Sequence, residues 1–128
     1  MKIVHVDDSR FSLKIAMNFL KQIFKEAEIV SLNDEEKFLK LLEESKLDDT
    51  DIFIIDLMLP KISGEELVKQ IKKKYPNVFV VVLSSNVQSN VKKRLYDCGI
   101  DLFIEKPLTL DKLRDMEVCY NEKGNRRV

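Results

Sequence analysis

Tryptophan is absent from this 128-residue chain, and glycine, proline, cysteine and histidine are scarce: three Gly, three Pro, two Cys and one His. Each shortage excludes something. Cys98 and Cys119 show no metal spacing and make no disulfide framework, which fits a reducing cytosol. Single prolines at Pro60, Pro76 and Pro107, with so little glycine, leave no linker, repeat or low-complexity segment, so the length reads as one domain. No apolar run reaches membrane-spanning length. One lysine and about four apolar residues before Asp7 are too short for a signal peptide. The charge surplus is also missing: 22 basic residues balance 22 acidic ones, so no global field points to nucleic acid. The expectation is a cytoplasmic globular domain with no membrane segment and no direct DNA binding.

What is present is an alternation of strand and helix. Strand-like apolar runs cover Lys2–Val6, Ala27–Leu32, the stretch ending at Asp56, Val78–Leu83 and the stretch ending at Lys106. Helical spacing of apolar residues follows each run: about Ser9–Lys25, from Asn33-Asp34 onward, Gly64–Tyr75, Val87–Tyr96 capped by Gly99, and Thr109–Tyr120. The domain is expected to span 1–120, with 121–128 a frayed tail. The lysine run Lys69, Lys72, Lys73, Lys74 reads as a solvated face. The first helix is apolar over a wide arc, because Phe11, Ile15 and Phe19 add a stripe beside Leu13, Ala16, Met17, Leu20, Ile23 and Phe24. Two readings stand for it: a deeply packed helix, or a partner-binding face. Five β/α units imply a doubly wound α/β domain with five helices around a five-stranded parallel sheet, order 2-1-3-4-5 leading.

Four of the apolar runs stop at a reactive side chain: Asp7-Asp8, Asp56, Ser84 and Lys106. Parallel strands end at one edge, where open α/β sheets bind ligands. With strands one and three adjacent, Asp7, Asp8 and Asp56 become neighbours. At about 4 Å and an effective dielectric near 20, each like-charge pair costs on the order of 4 kcal/mol. A cation relieves that repulsion, and oxygen-only ligands favour Mg²⁺, Mn²⁺ or Ca²⁺ over zinc. A carboxylate can act as nucleophile and become an aspartyl phosphate, with Lys106 and Ser84 meeting the phosphoryl oxygens. Singly, each residue has a plainer reading as a turn former, a helix cap or an exposed lysine. His5, inside strand one, reads as a core histidine rather than a ligand.

Taken together, the Asp7-Asp8 pair, Asp56-Leu57-Met58-Leu59-Pro60 followed by Gly64, Ser84-Ser85 and the stretch Cys98 to Pro107 resemble the receiver domains of two-component response regulators, the chemotaxis type included. The resemblance runs from Met1 to about Tyr120 and implies a flavodoxin-like fold. It makes Asp56 the phospho-acceptor. Asp7, Asp8 and the Met58 backbone carbonyl would be ligands, with Asp56, of Mg²⁺ (or Mn²⁺ as a substitute). Lys106 would pair with the phosphoryl group before a cis Pro107, while Ser84 and Phe103 would be the hydroxyl and aromatic switch. Met58 and Asn86 stand where the family tunes dephosphorylation. Ser84 replaces a common Thr, Ser85 a common Ala or Gly, and Phe103 a frequent Tyr.

Implied partners are a sensor histidine kinase or histidine phosphotransfer protein and a downstream protein effector reached through helix four, strand five and helix five. The state expected is monomer or weak homodimer, signalling rather than turnover, in a receiver that either stands alone or is a piece of a longer protein. The alternative is a haloacid-dehalogenase-like Mg²⁺ phosphatase, which wants Asp-x-Asp where this chain has adjacent Asp7-Asp8. A flavodoxin-like cofactor binder is a third reading, and it lacks a phosphate-cradling loop after strand one.

Overall fold

The computed structural model describes residues 1–85 and 88–123. Strands β1 (Lys2–Val6), β2 (Glu28–Leu32), β3 (Ile52–Asp56), β4 (Phe79–Ser84) and β5 (Leu102–Glu105) alternate with helices α1 (Arg10–Ile23), α2 (Glu35–Glu43), α3 (Gly64–Lys74), α4 (Ser89–Asp97) and α5 (Leu110–Lys123). All strands are parallel, in the order β2-β1-β3-β4-β5. This is the order expected from the alternation.

The strands alternate by face, and each face has its own core. Ile3, Ile52, Ile54, Phe79, Val81 and Leu83 pack with Ala16 and Leu20 of α1 and with Leu113 and Met116 of α5. Val4, Val6, Phe53, Ile55, Val80 and Val82 pack with Phe38 and Leu42 of α2, Leu67, Val68 and Ile71 of α3, and Leu95 of α4. The central strands β3 and β4 are buried along their whole length. That is why they read as unbroken apolar runs. The reactive residues fall at the ends of these runs because the sheet has no room for charge between its two cores.

Several details depart from the sequence reading. Helix α4 begins at Ser89 with Gln88 as its cap residue; the expected start at Val87, like Asn86, lies outside the described residues. Helix α5 continues to Lys123 rather than stopping at Tyr120, and 124–128 of the tail lie outside the described residues. The α3 lysines are not all solvated. The Lys72 ammonium donates to the Val78 carbonyl at 2.7 Å, and Lys74 donates to the Leu42 carbonyl. Their long stems let the charge reach strand and helix ends across the surface. In α1, Leu13, Ala16 and Leu20 are buried, Ile15 and Phe19 are half-buried, and Phe11 is 74% exposed. The wide arc is therefore packed on one side only. Gly99 adopts a left-handed φ of 103° as the expected helix terminator, a conformation open to glycine at little cost.

Candidate functional site

The carboxyl edge brings the four strand ends together. Asp7 follows β1 and is fully buried; Asp56 closes β3 and is buried; Asp8 is exposed. One oxygen from each of the three lies within 4.8 Å of the others. Lys106, just past β5, sends its ammonium between two of them: 3.0 Å to Asp7 Oδ2 and 3.3 Å to Asp56 Oδ2. The remaining oxygens of these two buried residues are held by backbone. Asp7 Oδ1 accepts from the Ser9 N–H at 2.9 Å and Asp56 Oδ1 from the Met58 N–H at 3.2 Å. The side chain of Ser9 in turn caps α1.

Two local features fix Asp56 and its loop. The Leu57 N–H donates to Leu83 O at 2.8 Å, and the Gly64 N–H returns to Leu57 O at 2.9 Å. A Cβ on Gly64 would sit 2.2 Å from the Asp56 carbonyl oxygen, so only glycine permits this closure. The exposed Met58 lies in between. Lys106 is placed by its N–H, which donates to Ser84 O at 2.9 Å, and it precedes the expected cis Pro107.

Burial and the nearby Asp7 charge push the Asp56 carboxyl up to about 6, against the opposing pull of Lys106. Burial works against the Lys106 ammonium, but its hydrogen bond to Asp7 and the charges of Asp56 and Asp7 raise its pKa. Three carboxylates face one ammonium, so negative charge is in excess even with Lys106 in place. An all-oxygen donor set with excess charge and one solvent-facing member suits a hard divalent cation that keeps some of its waters. The residues present fit Mg²⁺.

Ser84 ends β4, buried, opposite Glu105. Phe103 lies opposite Val82 on the same strand pair and is half-buried against the α4-side core. Strand alternation places Ser84 and Phe103 on the same face. The Lys92 ammonium sits 5.7 Å from the Phe103 ring centre, and the Phe103 N–H donates to the Tyr96 hydroxyl at 3.0 Å. His5 is a core residue, as read from the sequence. Its neutral form is favoured because burial lowers its pKa to about 4.

Two residues escaped the sequence reading. Tyr96, whose hydroxyl receives a strand-edge N–H, gave no signal. Glu35 did give one. It is buried, and its Oε2 accepts from the N–H groups of Lys61 at 2.6 Å and Ile62 at 3.2 Å. Its place in the series Glu35, Phe38, Leu42 puts it on the inward stripe of α2, whereas a first-turn acid is ordinarily read as a complement to the helix dipole. Beside the site, Phe11, Ser12, Ile15, Ser85, Lys106, Pro107 and Leu108 line a cavity of about 380 Å³.

The family model "Response regulator receiver domain" matches residues 3–117. A cyclic di-GMP phosphodiesterase of Thermotoga maritima is 30% identical over 114 residues, 89% of this chain but only 29% of that protein's length. A receiver domain protein from Methanospirillum hungatei superposes with a TM-score of 0.83 at 21% identity, covering 97% of this chain and 96% of that one. A receiver described as BeF₃-activated, DrrB, superposes at 0.79 with 25% identity, covering 94% and 97%.

Proposed function

Because the chain belongs to the response regulator receiver family, whose general function is to accept a phosphoryl group from histidine kinases or phosphotransfer proteins, we propose that Asp56 is its acceptor and that Asp7, Asp8, Asp56 and the Met58 carbonyl hold Mg²⁺. The observation that carries this is the Lys106 ammonium bridging Asp7 and Asp56 at 3.0 and 3.3 Å, with Asp8 in reach of both. Three strand ends remote in sequence supply one anion-accepting, cation-binding pocket. The family membership favours this reading over the phosphatase alternative.

Asp56 reacts as the carboxylate. One of its oxygens attacks phosphorus of a donor phosphohistidine, and the N–P bond breaks with its electron pair returning to the imidazole. An acyl phosphate is left on Asp56. A divalent cation held by Asp7, Asp8, Asp56 and the Met58 carbonyl would supply neutralising charge to the carboxylates and the phosphoryl oxygens. Lys106 follows the charge, because its two present partners are the carboxylate that reacts and the one that does not. Ser84 supplies a hydroxyl to a phosphoryl oxygen, and Phe103, on the same face, moves with it. That movement couples the site to α4, β5 and α5, the surface for a downstream protein effector. The half-covered stripe Phe11 and Ile15 beside Pro107 and Leu108 is the docking face for the phosphodonor.

The test is intact-mass analysis after incubation with Mg²⁺ and acetyl phosphate. The wild type gains one phosphoryl group, and chelation of Mg²⁺ or Asp56→Asn prevents the gain. An Asp56→Asn protein that gains it equally well sinks the assignment.

A further inference from the structure

We propose that Glu35 is a positioning residue for the acceptor loop: its buried carboxylate, clamped on the Lys61 and Ile62 N–H groups, sets where the Met58 carbonyl stands at the cation site. The inference rests on the cation site described under the proposed function.

The segment from Leu57 to Ser63 leaves β3 beside Asp56 and must return to start α3 at Gly64. Its near end is fixed by strand β4 and by Asp56 Oδ1, and its far end by Gly64 N–H on Leu57 O. Between them, the described anchor of polar type is Glu35, reaching across from the first turn of α2 to two successive amides at 2.6 and 3.2 Å. Glu35 is 2% exposed, and its removal would take the acceptor from two successive amides. The flanking contacts are of another kind. Lys61 reaches Asp34 and Glu36 at 3.3 and 3.9 Å on the exposed surface, where ion pairs hold little. Glu35 touches neither Asp56 nor the carboxylates of the cation site, so it acts through backbone placement. Asp34, Glu35 and Glu36 thus divide the work: one caps α2, one tethers the acceptor loop, and one remains at the surface.

The test measures Mn²⁺ binding by the electron spin resonance of the free ion, together with urea stability, for the wild type and four variants. In Glu35→Leu the loop loses its acceptor, and the dissociation constant is expected to rise about ten-fold, the scale on which outer partners of metal ligands act. Glu35→Gln keeps an acceptor oxygen in place and binds nearly as the wild type does. Leu113→Ala, in the core on the opposite face of the sheet, loses stability without losing affinity. Glu35→Asp, one methylene too short, weakens binding and replaces the leucine variant if that one does not fold. Wild-type affinity in both Glu35→Leu and Glu35→Asp overturns the proposal, as does an equal loss of affinity in Leu113→Ala. A wild type that binds no Mn²⁺ overturns instead the cation-site reading on which it rests.

Discussion

Asp56 and His5 both feel the charge of buried Asp7, yet they carry opposite pH dependences. Burial and Asp7 raise the Asp56 pKa from 3.8 to about 6. The folded chain therefore binds that proton more tightly than the unfolded chain, so this contribution to stability is present at low pH and is lost as pH rises through the folded value. Burial lowers the His5 pKa from 6.5 to about 4. Its contribution is present above the unfolded value and is lost as pH falls towards the folded one. The two slopes oppose each other between about pH 4 and 6, each limited to about 1.4 kcal/mol per pH unit. Asp56→Asn removes the first and leaves the second. In chelator-treated buffer, the urea midpoint of Asp56→Asn is expected to fall more steeply than that of the wild type on acidification across this range. Parallel curves would show that Asp56 titrates at its ordinary value. At this scale much was legible: an aspartate, a serine and a lysine that end buried apolar runs have few places to go but the sheet edge. Glu35 lay on the inward stripe of α2 but was not read as a tether, because its partners, the Lys61 and Ile62 N–H groups, belong to a loop that only folding brings beside it.

Polar contacts help to place helix α4. Among its described residues only Leu95 is fully buried. It is fastened on one side by the Arg94 guanidinium, which donates twice to the Glu65 carboxylate of α3 at 2.9 Å. On the other side the Tyr96 hydroxyl accepts the Phe103 N–H of β5. β5 is an edge strand, and that N–H lies on its unpaired side. Tyr96→Phe removes the acceptor while keeping the ring, at a cost of about 1 kcal/mol or less. Amide exchange at Phe103 is expected to accelerate in this variant while exchange in β3 keeps its wild-type rate. Unchanged protection at Phe103 would mean that the strand edge is held by packing alone. Neither fastening was visible in the sequence, since both join surface positions on different elements. The end of α5 was missed for a related reason. Asn121-Glu122-Lys123 carry the helix onward by backbone hydrogen bonds, with no apolar residue to mark the turn.

For the whole molecule, the excess negative charge of the site is a strain that folding creates, because the three carboxylates converge only when β1 and β3 pair. A cation that binds the folded cluster alone stabilises the fold by linkage. Mg²⁺ at ten times its dissociation constant is expected to add about 1.4 kcal/mol, seen as a rise in Tm. Asp8→Asn should flatten that response and leave the metal-free Tm at or above the wild-type value, because it removes one of the three converging charges at an exposed position. A Tm indifferent to Mg²⁺ in the wild type would argue against a cation site at this edge. The sequence by itself determined the alternation of elements, the parallel sheet and the identity of the strand-end residues, because burial on both faces demands unbroken apolar runs and expels charge to their ends. The tertiary structure decided the distances that make those ends a site. It seated Lys106 between Asp7 and Asp56, buried Glu35 beneath the acceptor loop and left half of the α1 stripe uncovered. Each of these depends on pairs of residues from separate elements meeting in space, and no periodicity along a single element encodes such a meeting.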